Sequence, residues 1–190
     1  MTNSIWKGAL RFNTGRVDVL GNTHLPEFFV IHVTDGDTIA GVDTWFNQPA
    51  CQASAHSAIG ENGEVHDYVH SGDTAWHAGI STTKGAKWDK FKYYNNGVFI
   101  SPNLYTLGLE HVGRPNKEIS EVQYAASAQK IKFWSEKFGI PITRDRFVAH
   151  SDIYPLHCCP NLAVNIDKLC ALAQNAIAIY PEGYQPPPIA

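Results

Sequence analysis

The most restrictive feature of the chain is a run of aromatic and β-branched residues, Phe28-Phe29-Val30-Ile31-His32-Val33, that stops at Thr34-Asp35-Gly36-Asp37. A run this short, closed by turn formers, reads as a buried strand rather than a helix. His32 therefore sits near the C-terminal end of that strand. Asp37 or Thr38 caps the next segment, where Ile39, Val42, Trp45 and Phe46 recur at helical spacing until Pro49 ends the pattern. The unit is a strand leading into a helix.

Further elements follow by the same logic. Residues 54–59 and 65–70 flank Glu61-Asn62-Gly63-Glu64, and Asn-Gly between two such runs predicts a tight hairpin. Residues 71–102, rich in Gly, Lys, Asn and aromatics without a period, read as a long, substrate-facing loop region. Residues 104–112 form another strand. Ser120-Glu121-Val122-Gln123 matches a capping box opening a helix through Phe138, with Gly139 and Pro141 as stop signals. Val122, Ala125, Ile131, Trp134 and Phe138 give that helix its expected apolar face. Residues 142–149 lead into His150, and a last helix is expected over 162–179, with Leu162, Ile166, Leu169, Leu172 and Ala176 inward. Interspersed strands and helices make the class mixed α/β.

With 190 residues, 44% of them hydrophobic and 17% charged, the chain suits one globular domain. A formal net charge of −3 leaves no basic stripe for phosphates, which disfavours a nucleic-acid partner. The N-terminus lacks a charged region followed by an apolar one, and no run reaches membrane-spanning length. The expectation is a product synthesised in the cytoplasm without a signal peptide or membrane insertion. Cys51, Cys158, Cys159 and Cys170 are too few and too uneven for a disulfide scaffold.

Chemistry concentrates in His150-Ser151-Asp152-Ile153-Tyr154-Pro155-Leu156-His157-Cys158-Cys159-Pro160. An imidazole and a thiolate a short loop apart suit zinc, a borderline-soft ion that takes nitrogen and sulfur. A hydrolytic site needs three protein ligands and an open position, and His32 is the natural third ligand.

Five blocks then occur in order: Val30-Ile31-His32-Val33-Thr34, Ser54-Ala55-His56, Ala75-Trp76-His77-Ala78-Gly79, Leu107-Gly108-Leu109-Glu110, and His150-Ser151-Asp152-Ile153 continuing to Cys159-Pro160. In these the chain resembles the N-acetylmuramoyl-L-alanine amidase family, which includes phage lysins, anhydro-muropeptide amidases and peptidoglycan-recognition proteins. The resemblance implies a single α/β domain over residues 1–180, a central mixed β-sheet flanked by helices with the metal in a groove at one sheet edge, and a Pro-rich tail over 181–190. It implies one zinc ion held by His32, His150 and Cys159, with Cys158 the competing ligand. It implies Glu110 as general base, taking a proton from water and passing it to the leaving alanine nitrogen. Gly108 and Glu110 would share one strand face, Leu109 and His111 the other. Where many relatives carry a Lys, His157 stands; protonated, it would donate to the oxyanion.

His77 and Trp76 are the expected substrate contacts, with Trp88 a further stacking candidate, while His56 reads as structural and His24, His66, His70 and His111 as ordinary. The implied substrate is peptidoglycan or a muropeptide, cut between the lactyl group of N-acetylmuramic acid and L-alanine. The role divides between a phage lysin, a bacterial autolysin and a recycling amidase; the Pro-rich tail fits a wall-degrading enzyme, a phage lysin or autolysin acting on the cell wall, after release if a lysin. A non-catalytic peptidoglycan-binding module is the alternative, and a closed site using both Cys158 and Cys159 a third reading.

Overall fold

The computed structural model describes residues 3–79, 94–95, 97–157, 159–181 and 183–184. Its elements are β1 (Ile5–Trp6), β2 (Phe12–Asn13), β3 (Phe28–Ile31), α1 (Ile39–Phe46), β4 (Ser57–Ile59), β5 (Val65–Asp67), β6 (Thr74–Ala75), β7 (Tyr94–Asn95), β8 (Val98–Phe99), β9 (Thr106–His111), α2 (Glu121–Phe138), β10 (Phe147–Ala149), α3 (His150–Ile153) and α4 (Ile166–Asn175). Single 3-10 turns, Pro102–Leu104 and Arg144–Arg146, lead into β9 and β10.

Six strands form one sheet in the order β1-β5-β4-β9-β3-β10. The sheet is mixed: β4, β9, β3 and β10 run parallel, while β5 returns antiparallel to β4 through the hairpin. Gly60 N–H donates to the Glu64 carbonyl, so the hairpin loop is the three residues Glu61, Asn62 and Gly63, with Gly63 left-handed at φ 82°. β3 is buried on both faces, as the apolar run requires.

One face of the sheet (Phe29, Ile31, Leu107, Leu109, Phe147) packs with α2 and α4 through Ile131, Trp134 and Leu169. The other face meets α1 through Ala58, Val42 and Phe46, and meets Ala78, Ile100 and Ile153 through Phe28, Val30 and Val148. On the α2 face a buried ion pair joins Lys130 Nζ to Asp67 Oδ1 at 2.7 Å, and Ser4 and Ser57 hydroxyls also donate to Asp67. The layered α/β architecture is the expected one.

Several local expectations change. α2 begins at the Ser120 capping box and ends at Gly139 with φ 69°, but Val122 is 55% exposed and Ala125 also faces solvent. The buried face keeps Ile131 and Trp134 but runs through Tyr124 and Ser127 in place of Val122 and Ala125, with α2 and α4 packed side by side on the sheet. α4 is shorter than the expected 162–179. Asn165 Oδ1 accepts the Lys168 N–H and starts the helix there, leaving Leu162 exposed before it. β2 pairs with β6 and β7 with β8, so part of the 71–102 region is ordered as short strands. Trp88, Cys158 and residues 185–190 of the tail lie outside the described residues.

The exchanged face of α2 is open to measurement. Trp134→Ala should cost about 3–5 kcal/mol in urea unfolding, and Val122→Ala should stay within about 0.5 kcal/mol. Equal losses at the two positions would contradict the observed packing.

Candidate metal centre

Strand register places the site. β10 aligns Ala149 with Ile31, and β3 aligns Ile31 with Leu109. One step further along three parallel neighbours come His150, His32 and Glu110, which therefore share a rung and a face at the C-terminal edge of the sheet. Leu109 and His111 point the other way, into the α2 side, where His111 Nε2 lies 2.7 Å from Ser127 Oγ.

Each donor is aimed by its local backbone. His150 opens α3, and Asp152 Oδ2 accepts the Ala149 N–H at 3.1 Å to fix that turn. The Ser151 N–H donates to the Cys159 carbonyl at 2.9 Å, folding the Cys159 loop back on His150. Cys159 Sγ accepts the Val33 N–H at 3.0 Å, which brings the sulfur beside His32.

One ligand atom each from His32, His150 and Cys159 lie within 4.8 Å of one another. A tetrahedral ion with bonds of about 2.0–2.3 Å needs donors about 3.3–3.6 Å apart, so a contraction on the order of 1 Å closes the set. Burial, reinforced by neighbouring histidines, holds His32 well below its ordinary value, and burial with His157 lowers His150 to about 4. Both rings are thus neutral, the state that ligates metal. Nδ1 is the atom each ring would have to offer a metal, since His150 Nε2 donates to the Ala78 carbonyl at 3.1 Å and His32 Nε2 lies 3.1 Å from His77. The donor chemistry and electrostatics fit zinc.

Glu110 Oε1 lies 3.9 Å from His32 Nδ1. Its Oε2 is the one buried side-chain polar atom without a hydrogen-bond partner among the described residues. Burial alone pushes this carboxyl up to about 8, and a nearby dication would favour the ionised form. The four residues open into a groove of about 430 Å³, walled by Thr34, Asp37, Thr38, Val42, Trp45 and His157. A larger cavity of about 540 Å³ lies between α2, β5 and Tyr184, but its deepest charges, Lys130 and Asp67, are already paired with each other.

The remaining expectations divide. His157 is exposed and its ring stacks on His150 with centroids 4.9 Å apart, within the groove. His77 reaches the groove only from behind His32, 6% exposed. Trp76 does not line the groove; it borders a separate depression of about 200 Å³ with Val17, Phe99 and Asn103, because consecutive residues of an extended segment point oppositely. His56 is structural: its Nδ1 accepts the Gly108 N–H at 2.9 Å and its Nε2 lies 2.9 Å from Arg16. Trp45, half exposed on the groove wall, was legible only as part of a helical stripe; its neighbour Phe46 takes the inward place.

The fold and site together define an α/β domain with an open groove lined by three side chains that could hold a metal ion. The chain belongs to the N-acetylmuramoyl-L-alanine amidase family, whose pattern matches residues 22–162. It is similar to the 1,6-anhydro-N-acetylmuramyl-L-alanine amidase AmpD of Haemophilus influenzae, 33% identical over 104 residues, 55% of this chain. That match spans about half, 49%, of the relative's length. Among solved structures, a selenomethionine AmpD derivative superposes with a TM-score of 0.65 at 18% identity, covering 90% of this chain and 95% of that one. A mutant endolysin from Bacillus subtilis gives 0.63 at 18% identity over 91% and 99%. Among the described residues no helix is long and apolar enough to cross a membrane.

His56 also sets a pH dependence. Burial and the Arg16 charge hold it well below 6.5, whereas in the unfolded chain it protonates near the ordinary value of about 6.5. Below about pH 6.5 the unfolded state thus binds the extra proton, and stability falls as pH falls. For the chelated protein, urea unfolding should show stability falling as pH is lowered from about 6.5 to about 5, and His56→Asn should make that fall shallower.

Proposed function

We propose that the chain is a zinc-dependent N-acetylmuramoyl-L-alanine amidase that hydrolyses the amide between the lactyl group of N-acetylmuramic acid and the L-alanine of peptidoglycan. The observation that carries this reading is the convergence of His32, His150 and Cys159 beside an uncompensated buried carboxyl, Glu110, in an open groove. Family membership and the muramyl-L-alanine specificity in the name of the Haemophilus relative support the choice of bond.

When bound, zinc supplies a Lewis acid for the scissile carbonyl and lowers the pKa of water to about 7. The side chains do the rest. Glu110, ionised, takes a proton from the attacking water and returns it to the leaving alanine nitrogen. Its Oε2 is suited to this because no donor among the described residues competes for it. His157, stacked on His150 at the groove surface, donates to the developing oxyanion while protonated. Trp45 offers a flat aromatic wall for the sugar or the stem peptide. The setting we infer is that of a phage lysin or autolysin acting on the cell wall.

Digestion of purified peptidoglycan, followed by mass spectrometry with and without chelator, tests bond and metal together. The expected products are stem peptides with a free alanine amine, formed only without chelator. Glu110→Gln should lower turnover by about 10²–10⁴-fold while retaining zinc. Full turnover by that variant would remove Glu110 as the base; tight muropeptide binding without hydrolysis or zinc would favour a recognition module instead.

A further inference from the structure

His32 can serve as a ligand through Nδ1 only if its proton sits on Nε2. The structure contains a device that sets this. His32 Nε2 lies 3.1 Å from His77 Nδ1, with the rings edge-on at 87°. His77 Nε2 lies 3.2 Å from Thr106 Oγ1, and the Thr106 hydroxyl donates to the Pro102 carbonyl at 2.8 Å.

Only one placement of protons satisfies all three contacts. A carbonyl cannot donate, so the single Thr106 hydroxyl proton points at Pro102. Thr106 Oγ1 must then accept from His77 Nε2, which leaves His77 Nδ1 as an acceptor. His32 Nε2 must donate to it, and the lone pair of His32 falls on Nδ1, the atom beside Glu110.

Two further features hold His77 in place. The Asn103 side-chain oxygen accepts the backbone N–H groups of His77 at 3.2 Å and Ala78 at 2.8 Å, tying this segment to the same 3-10 turn that supplies Pro102. The His77 ring lies directly over Gly108, where a Cβ would stand 2.5 Å from His77 Cγ and 2.7 Å from Nδ1. No ordinary contact is that short. The next residue, Ala78, accepts from His150 Nε2, so one dipeptide orders both imidazole donors.

We propose that His77 is a positioning residue that locks His32 in the tautomer presenting Nδ1 to the metal, and that Gly108 is glycine because the His77 ring occupies the space of its side chain. The proposal rests on the zinc reading above. It differs from the substrate contact expected for His77, since both ring nitrogens are engaged inside the protein.

The test measures zinc affinity by chelator competition, and the His32 tautomer by imidazole ¹⁵N spectra of the metal-free protein. Wild type should bind one zinc and show His32 protonated at Nε2. His77→Ala should weaken zinc binding by about 10–100-fold and leave His32 in mixed tautomers. His77→Asn, whose amide oxygen falls near the position of Nδ1, should recover most of that loss. Should His77→Ala fail to fold, Thr106→Val carries the test: freed from its acceptor, His77 loses its fixed direction, and His32 should again show mixed tautomers with weaker zinc. Unchanged affinity and tautomer in the folded variants overturn the positioning role and leave the zinc reading intact. Absence of zinc binding by wild type overturns both.

Discussion

Three parallel strands in fixed register bring together side chains more than a hundred residues apart. Glu110 lies within β9, and His32 and His150 directly follow β3 and β10, one step beyond the last residues that those two strands pair. Because a strand alternates its faces, slipping β9 by one residue would turn Glu110 toward α2 and bring Leu109 to the metal side. The apolar set Phe29, Ile31, Leu107, Leu109 and Phe147 prevents that slip, since the same shift would expose all of β9's share of the core. The core beneath α2 and α4 is thus what positions the chemistry on the opposite face.

On that opposite face burial does electrostatic work. His32 and His150 are kept neutral by lost hydration and by neighbouring histidines, so no proton has to be displaced from either nitrogen when a cation binds. Glu110 experiences the same burial with the opposite sign, because its charged form is the one disfavoured. A divalent ion would relieve both conditions at once. Elsewhere among the described residues the buried side-chain polar atoms have partners, as with the Asp67 carboxylate bonded to Lys130, Ser4 and Ser57. Among the described residues, the one buried side-chain polar atom left without a partner is Glu110 Oε2, on the groove.

What was legible in the sequence was whatever is written locally. The apolar run at 28–33, the Ser120 capping box and the Asn-Gly turn each carry their signal within a few residues, and each corresponds to an observed element. Periodicity alone misled. Leu162 extends a helical pattern beyond α4, yet the Asn165 cap decides where the helix starts and Leu162 faces water, while Leu172, inside the helix, is also exposed. The two-residue strands β1 and β2 depend on pairing with β5 and β6 some 60 residues away, so no local pattern reveals them. The donors His32, His150 and Cys159 were approachable through ligand type and spacing, and they do lie together. The surroundings of His77 were not, because they depend on Gly108, Thr106 and Asn103, whose proximity only the fold creates.

The same dependence extends to a residue outside the family-matched segment. Arg16 is 3% exposed, and its guanidinium donates to the carbonyls of Ser71, Asn103, Leu104 and Thr106. Three of these belong to the 3-10 turn and the start of β9, the stretch that holds Asn103 and Thr106 against His77. Burying a guanidinium is unfavourable, and here it lowers Arg16 to about 10 despite the neighbouring Asp73. The arrangement suits arginine because its planar fork of five donors can meet several carbonyls at once, whereas a lysine offers three donors from one point. Arg16 also lies against His56, whose Nδ1 accepts from Gly108, so its charge helps keep that ring neutral and its acceptor open. An N-terminal arm with few core residues is thereby tied, through backbone carbonyls and two histidines, to the surroundings of His32.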